Sequence, residues 1–251
     1  MRHDVRRLAE FDSEYMLGRS WFVGIDEAGR GALAGPVVAG AVAVSDAFYK
    51  NAKFLEHLAN LDDSKKLTEH AREELYKHLE ELKAAGALDF EAGFASVEEI
   101  ERDNILVATQ TAMARACVVL NERLSLNLKP AGATATLFGE SALDLSLANV
   151  LIDGKPMKKF PFAHRAVVKG DASSLAVAAA SIVAKVSRDR FMENLAAKYP
   201  RYGFEVHKGY GTAAHSQALL LFGASDVHRP SFLKKLRAKP LADSQQSLLF
   251  S

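Results

Sequence analysis

The sequence predicts an α/β protein in which a mixed central sheet is flanked by helices. Two observations predict this class: strand candidates occur early as a group and later alternate with helical segments, and several of them end at an aspartate. The chain has 251 residues, of which 49% are hydrophobic and 25% charged. These values are typical of globular proteins and exclude a collagen-like or disordered chain. The length allows one large domain or two small ones.

Five short strands are predicted from runs of small, apolar and β-branched residues, at positions 21–25, 36–44, 90–94, 150–152 and 166–168. In the second run Val38, Val42 and Val44 share one parity, and in the third the aromatic residues alternate, as they do in strands. The first and fourth runs end at Asp26 and Asp153, and the fifth leads to Asp171.

Capping residues and apolar spacing predict the helices. Residues 1–20 form a polar helical lead-in, and helix starts are predicted at Thr68, at a capping box of Ser96 and Glu99, and at Ser173 or Ser174. The region opened by Ser96 is predicted to be helical to about Leu124, with Val119 in its apolar stripe. Residues 129–147 have weak periodicity and are interpreted as an insertion.

The cysteine content and the hydropathy pattern limit the protein class. A single cysteine, Cys117, cannot form an internal disulfide or a thiolate metal cluster, which predicts a reducing, cytoplasmic compartment. No apolar run approaches the roughly 18 residues that span a bilayer, so neither a membrane helix nor a signal peptide is expected.

Positive charge is concentrated in one third of the chain. Residues 155–239 contain 16 Lys and Arg against 5 Asp and Glu, whereas the whole chain has a net charge of only +1. Such asymmetry is expected of a protein that binds a polyanion such as nucleic acid. The alternative is that the basic third pairs with the acidic remainder, and charge counting leaves both open.

Four carboxylates are predicted to meet at one edge of the sheet: Asp26, Glu27, Asp153 and Asp171. Two like charges 4 Å apart repel by about 4 kcal/mol at an effective dielectric constant of 20, so convergence requires a counter-ion. Oxygen ligands favour Mg²⁺ or Mn²⁺, the ions of two-metal phosphodiester hydrolysis. The alternative is that these aspartates only cap loops and helices.

A second alternative is a dinucleotide-binding fold, since Gly29, Gly31 and Ala34 fit the glycine pattern of that fold. Asp26 and Glu27 argue against it, because they would place two negative charges beside the pyrophosphate. Residues 37–44 also have a strand pattern where that fold requires a helix.

Seven motifs follow one another in the chain: GIDEAGRGALAGPVVAGAV, DSKKL, LIDG, VVKGD, AAASIVAKVSRDRFM, YGFEVHKGYGT and HRPSF. In this order they resemble bacterial ribonuclease HII. The resemblance implies an RNase H-like catalytic domain over 21–237 with a C-terminal helical portion. Residues 1–20 are an extension that departs from the usual family pattern, and residues 238–251 are expected to be a flexible tail. It also implies an endonuclease that cleaves the RNA strand of RNA/DNA hybrids, and single ribonucleotides embedded in duplex DNA, leaving 3′-hydroxyl and 5′-phosphate ends.

The resemblance also implies roles for residues. The four carboxylates named above match the family's catalytic, Mn²⁺- or Mg²⁺-binding acids. Gly29, Arg30 and Gly31 match a loop whose backbone contacts the ribose 2′-hydroxyl, the group that distinguishes RNA from DNA. Tyr210 matches a tyrosine that stacks on the deoxyribose after the ribonucleotide. Phosphate contacts are expected of Ser64, Lys65, Lys169 and Lys185.

The tail carries a candidate partner site. Gln246, Leu249 and Phe250 resemble the peptide by which bacterial repair enzymes dock on the sliding clamp, and the alternative is a tail that folds back on the body. Two further alternatives concern the whole chain: a non-catalytic binder of RNA/DNA hybrids, and the related ribonuclease HIII. Ribonuclease HIII typically has a larger N-terminal domain and a lysine in the glycine loop, where this chain has Arg30.

Overall fold

The computed structural model describes residues 5–61, 64, 66–132 and 145–237. Its strands are β1 (Trp21–Ala28), β2 (Val37–Ser45), β3 (Leu88–Ala95), β4 (Ala148–Asp153) and β5 (Arg165–Val167). Its helices are α1 (Val5–Met16), α2 (Asp46–Tyr49), α3 (Ala52–His57), α4 (Glu69–Ala84), α5 (Val97–Asp103), α6 (Ile105–Leu124), α7 (Leu175–Lys198), α8 (Phe204–His207), α9 (Ala213–Phe222) and α10 (Pro230–Arg237). A 3-10 turn covers Gly170–Ala172.

The strands form one mixed sheet in the order β3-β2-β1-β4-β5. The β1–β2 and β2–β3 pairs are antiparallel, and the β1–β4 and β4–β5 pairs are parallel. Alternate residues of β1 face opposite sides: Phe22 packs in the core that contains α1, α4 and α7, and Val23 packs in the core that contains α6. The predicted α/β class with a mixed sheet is therefore confirmed.

Two glycines bring α7 against the sheet. A Cβ atom at Gly24 would lie 2.3 Å from the carbonyl carbon of Ala176, and one at Gly40 would lie 2.2 Å from the carbonyl oxygen of Ala180. These distances are too short for any side chain, so both positions require glycine. The close packing fixes the start of α7 beside the strand that contains Asp26.

The predicted strands are present, with differences at their ends. Asp26 and Glu27 lie within β1 and not after it, and β5 begins one residue before the predicted run. Asp171 does not end a strand, because the 3-10 turn after β5 carries it. Ser174, and not Ser173, caps α7, since its side chain accepts the Val177 N–H.

The predicted helical region after Ser96 is two helices. The capping box at Ser96 is present, but Asn104 has φ 69° and separates α5 from α6. The Asn104 side chain accepts the N–H groups of Leu106 and Val107, so it starts a new helix where the pattern predicts continuity. Val119 is 38% exposed and does not belong to the buried face.

A small helical region after α7 has its own apolar cluster. Met192, Phe204 and Tyr202 pack there with Ala34 from the segment between β1 and β2. The C-terminal helices α8 and α9 are thereby attached to the segment that follows Glu27. Among the described residues, no helix combines the length and apolar character needed to cross a bilayer.

Candidate active site

Two of the four predicted acids lie side by side on parallel strands. Ile25 of β1 pairs with Ile152 of β4, so the next residues, Asp26 and Asp153, are neighbours across the β1–β4 pair. Parallel strands lie about 4.8 Å apart, which places both residues at one edge of the sheet.

The third acid is attached to the second by the backbone. Gly170 donates its N–H to Asp153 Oδ1 at 2.7 Å, and Gly170 begins the 3-10 turn that contains Asp171. Asp171 is buried, with 9% of its surface exposed. The turn after β5 therefore places Asp171 at the edge that the pattern assigned to a strand end.

The electrostatics of Asp26 indicate that all four carboxylates are close. Burial raises the pKa of Asp26 well above its ordinary value, and the charges of Glu27, Asp153 and Asp171 raise that pKa further. The Glu27 N–H opposes the shift by donating to Asp26 Oδ1 at 2.7 Å. Glu27 also pairs with Arg30, whose Nη1 lies 2.9 Å from Glu27 Oε1.

The donor set fits a hard divalent cation by its chemistry. Four carboxylates supply only oxygen ligands, and their mutual repulsion at Asp26 is what a cation would relieve. In the described ranges, however, no three His, Cys, Asp or Glu side chains are arranged as a complete metal-holding group. The site therefore provides ligand chemistry and negative charge, and its coordination geometry is not preformed.

Arg188 of α7 holds the loop after Glu27 from below. Its guanidinium donates to the carbonyls of Ala34, Pro36 and Lys208 at 3.1, 3.0 and 2.9 Å. Gly29, at φ 88°, lies directly on this side chain, because a Cβ there would be 2.0 Å from Arg188 Nε. Glycine at this position is therefore required by backbone conformation and by contact.

Arg229 holds the same loop from the C-terminal region. Nη1 donates to the carbonyls of Gly29, Arg30 and Ala32, and Nε and Nη2 donate to the carbonyl of Gly35. Five hydrogen bonds from one buried side chain fix the path of residues 29–35. Both arginines are fully buried, at 0% exposure.

Sequence reasoning did not single out these two arginines as site residues, although they fix the loop beside the acidic edge. Burial lowers the pKa of Arg188, and burial together with the Arg188 charge lowers the pKa of Arg229 to about 9, so Arg229 stays protonated at pH 7. A signal was present for one of them: Arg188 continues the small-residue stripe of Ala180 and Ala184 at four-residue spacing. Arg229 lies in the HRPSF motif without any periodic pattern around it.

The tip of the loop faces solvent. Arg30 and Gly31 are exposed, and no atom lies within 4 Å of a Cβ built on Gly31. Their backbone N–H groups have no acceptor within the described part of the chain. The predicted ribose-reading residues therefore present free donors beside the acidic edge.

Tyr210 contacts this loop directly. Its Oη accepts the Gly29 N–H at 3.2 Å, and its half-buried ring lies 5.1 Å from the Arg188 guanidinium. The Tyr210 backbone is held by histidines: its N–H donates to the His207 carbonyl at 2.9 Å, and its carbonyl lies 3.0 Å from His215 Nδ1. The structure thus brings Tyr210 and Gly29 together, although 181 positions separate them.

Three buried histidines form a connected cluster beneath Tyr210. The rings of His207 and His215 stack at 4.3 Å, and His215 Nε2 lies 3.1 Å from His228 Nε2. A carbonyl only accepts, so His215 Nδ1 carries the hydrogen toward Tyr210 and its Nε2 accepts from His228. His228 Nδ1 in turn accepts the Ser225 N–H at 3.0 Å. One set of neutral tautomers satisfies the whole chain of contacts.

Burial keeps two of these imidazoles, those of His215 and His228, neutral. It lowers the pKa of His215 to about 4 and also lowers the pKa of His228. Their burial favours a structural role over contact with phosphate.

The predicted phosphate contacts have different surroundings. Lys169 is exposed and lies two residues before Asp171, whereas Lys185 donates to Asp189 at 2.6 Å and lies 5.8 Å from the Tyr210 ring. Ser64 is buried and its carbonyl accepts from Arg72. Lys65 and the tail residues Gln246, Leu249 and Phe250 lie outside the described residues.

The basic third of the chain pairs in part with acids of α4. Arg190 pairs with Glu73, and Lys208 contacts Glu69 and Glu193. The hypothesis that the basic third pairs with acidic residues therefore holds in part, and binding of a polyanion stays a prediction. The dinucleotide alternative is wrong, because β2 follows the glycine loop where that fold needs a helix.

Comparisons with known proteins agree with this geometry. The family model described as Ribonuclease HII matches residues 23–235. A ribonuclease HII from Delftia acidovorans is 47% identical over 83% of this chain and 74% of its own length. One from Fusobacterium nucleatum is 43% identical over 85% of this chain and 86% of its own length.

Solved structures share the fold. RNase HII in its complex with PCNA from Archaeoglobus fulgidus has a TM-score of 0.61 and 24% identity, covering 88% of this chain and 98% of its own. Bst-RNase HIII in complex with Mn²⁺ has a TM-score of 0.59 and 17% identity, covering 89% of this chain and 71% of its own.

Fold and matches together define a ribonuclease H, a class of endonucleases that typically depends on divalent metal ions. Within that class, the chain belongs to the ribonuclease HII family. This assignment confirms the resemblance carried by the motifs and decides against the ribonuclease HIII alternative.

Proposed function

We propose that this ribonuclease H cleaves the RNA strand of RNA/DNA hybrids and also nicks duplex DNA at a single ribonucleotide. The observation that carries the proposal is geometric: Asp26 and Asp153 are neighbours across the β1–β4 pair, and Gly170, which begins the turn that carries Asp171, donates to Asp153 Oδ1. We propose that Asp26, Glu27, Asp153 and Asp171 are the catalytic residues and would hold Mn²⁺ or Mg²⁺. Bound there, the ion supplies charge stabilisation and lowers the pKa of water.

The chain's own residues account for the remaining requirements of hydrolysis. Water attacks phosphorus in line, a P–O bond forms, and the bond from phosphorus to the ribose 3′-oxygen breaks. The products are a 3′-hydroxyl and a 5′-phosphate. The carboxylates keep the attacking water and the leaving oxygen at one edge of the sheet, and no covalent enzyme intermediate is needed.

Selection of the ribonucleotide is proposed to depend on the loop and Tyr210. The exposed N–H groups of Arg30 and Gly31 can donate to a 2′-hydroxyl, which DNA lacks. Tyr210 lies against the same loop through the Gly29 N–H, so its ring is placed to stack on the next sugar. Lys169 lies two residues before Asp171, and Lys185 lies beside the Tyr210 ring. Both lysines are proposed to contact phosphates, as are Ser64 and Lys65.

The test uses a DNA duplex with one internal ribonucleotide. With Mn²⁺ or Mg²⁺ present, we expect one nick at a phosphate beside the ribonucleotide, and we expect none without the metal ion or on the all-DNA duplex. Mapping the termini checks for a 3′-hydroxyl and a 5′-phosphate. A mobility shift without nicking would instead support the non-catalytic binder.

We also propose that the tail residues Gln246, Leu249 and Phe250 dock on a sliding clamp. Support comes from their peptide pattern and from the archaeal structural neighbour, which was solved as a complex with PCNA. Clamp retention by the full chain should be lost on Leu249→Ala with Phe250→Ala. Equal retention by a chain that ends at Asp243 would contradict this proposal.

A further inference from the structure

Helix α1 precedes the residues that match the family model, which begin at position 23. It nevertheless contacts the β4 strand that ends at Asp153. Asn149 of β4 donates through Nδ2 to the carbonyls of Tyr15 and Met16, at 2.9 and 3.0 Å. These carbonyls belong to the last turn of α1, and the carbonyl groups of a last turn have no donors within their own helix.

The same helix contacts the segment that carries Asp171. Arg7 donates through Nη2 to the carbonyl of Ala172 at 3.2 Å, and Ala172 ends the 3-10 turn. Both segments that carry acids after β1 therefore touch α1.

Asp12 is the central contact of α1. It is fully buried at 0% exposure, and its Oδ2 accepts from Tyr49 Oη at 2.9 Å and from the Ala176 N–H at 2.8 Å. Ala176 lies in the first turn of α7, whose N–H groups need acceptors and favour negative charge. A side chain from a different helix thus caps α7.

A continuous path of hydrogen bonds leads from this cap to the acidic edge. Ser174, the N-cap of α7, accepts the Val177 N–H and donates its own N–H to the Gly170 carbonyl at 2.8 Å. Gly170 donates in turn to Asp153 Oδ1 at 2.7 Å. Moving the start of α7 would therefore move both Asp153 and the turn that carries Asp171.

Asp12 is a costly group to bury. Its Oδ1 has no hydrogen-bond partner within the described part of the chain. Burial raises the pKa of Asp12 to about 7, so ionisation of this carboxyl weakens folding as pH rises from about 4 to about 7. A buried polar group with such a cost calls for a role other than stability.

We infer that α1 is a positioning element for the acidic edge, and that Asp12 is the positioning residue that fixes the start of α7 and, through it, Asp153 and Asp171. The inference rests on the proposed function of those two aspartates. It assigns a role in metal affinity to a helix that lies outside the family match.

The test is Asp12→Ala in the full chain, compared with Asp12→Asn and with Leu120→Ala. The asparagine retains an oxygen that can accept from Ala176 and Tyr49. Leu120 is fully buried in α6 on the other face of the sheet and serves as a control for lost stability alone. Mn²⁺ affinity is measured by titration calorimetry without substrate, and KM and kcat are measured on the single-ribonucleotide duplex.

We expect Asp12→Ala to weaken Mn²⁺ binding about tenfold, the usual range for a residue that orients metal ligands, and to leave KM for the duplex within about twofold. Asp12→Asn should recover most of this affinity, and Leu120→Ala should keep it. Should Asp12→Ala fail to fold, Arg7→Ala tests the other contact of α1 with this region, that with the turn that carries Asp171, and about threefold weaker Mn²⁺ binding is expected.

The outcomes separate the two proposals. If the wild-type chain cuts and Asp12→Ala or Arg7→Ala binds Mn²⁺ as tightly as wild type, the positioning role is overturned and the proposed function stands. If the wild-type chain neither binds Mn²⁺ nor cuts, the proposed function fails and this inference fails with it.

Discussion

Two buried polar regions adjoin the glycine loop, residues 29–35, and they differ in how their charges and polar groups are compensated. At the acidic edge, Asp26 is buried among like charges that raise its pKa. In the C-terminal region, Arg229 and the three histidines are equally buried, but each has acceptors or donors in contact. Burial is the same in both regions, and the pairing differs.

This difference indicates which of the two regions lowers the free energy of unfolding. Like charges held close together around a buried carboxylate lower the free energy of unfolding until a cation binds, whereas a satisfied set of buried hydrogen bonds fixes geometry. Substitutions should therefore have opposite effects on stability in the two regions, while both affect cleavage.

The largest effect is expected at Asp26. Asp26→Asn should reduce cleavage by about 10⁴-fold or more, about 5 kcal/mol of transition-state stabilisation, because a metal ligand is lost. The same change should raise the midpoint of urea unfolding at pH 7. The folded-state pKa of Asp26 is raised, so its ionised form destabilises the fold above its ordinary pKa, and a neutral amide removes that penalty.

A matched control is Asp89 of β3, which is also buried but paired. Lys83 Nζ and Arg123 Nη1 lie 2.6 and 2.9 Å from Asp89 Oδ1. Asp89→Asn should lower the urea midpoint and leave cleavage near wild type. If both variants lose stability alike, the contrast between Asp26, which lies among like charges, and Asp89, which is paired with cations, is wrong.

The next effect is expected at Arg229. Arg229→Met keeps much of the apolar volume but leaves three buried carbonyls and the partly buried Arg30 carbonyl without this donor, which should cost about 4 kcal/mol of unfolding free energy. Cleavage of folded protein should fall as well, since the loop path depends on these bonds. Arg190→Met is the control, because its exposed pair with Glu73 contributes at most about 1 kcal/mol.

The acidic edge could be predicted from sequence because its residues lie on strands with strong apolar patterns. Asp26 and Asp153 follow such runs directly, and parallel pairing then makes them neighbours. The prediction that Asp171 ends a strand is wrong, because a 3-10 turn has no periodic pattern that separates it from a strand end.

The region around Arg229 and Tyr210 could be named only through family motifs. Its contacts join residues far apart in sequence, such as Gly29 with Tyr210, and its helices α8 and α9 are short. Isolated polar residues in short helices give no spacing signal. Their partners are backbone carbonyls, which every residue has, so the sequence does not identify the pairing.

The histidine cluster should make the free energy of unfolding depend on pH. The pKa of His215 is lowered to about 4 in the folded chain, from about 6.5 unfolded, so the unfolded state binds more protons between these values. The free energy of unfolding should therefore fall by about 3 kcal/mol as pH drops from 6.5 to 4. Urea titrations of His215→Gln should lack this part of the slope, while exposed His70→Gln should keep it.

The smallest effect is expected at Tyr210, where the two regions meet. Tyr210→Phe keeps the ring that is proposed to stack on the sugar but removes the oxygen that accepts the Gly29 N–H. Loss of one such hydrogen bond is worth about 1 kcal/mol, or about fivefold in kcat/KM on the single-ribonucleotide duplex. Tyr199→Phe, which removes a hydroxyl bonded to Asp226 in the same helical region, should cut at the wild-type rate.

If the Tyr210 hydroxyl couples the C-terminal region to the loop, its loss should also weaken the discrimination between ribonucleotide and all-DNA duplexes. Unchanged discrimination in Tyr210→Phe would mean that the two buried regions act on cleavage independently.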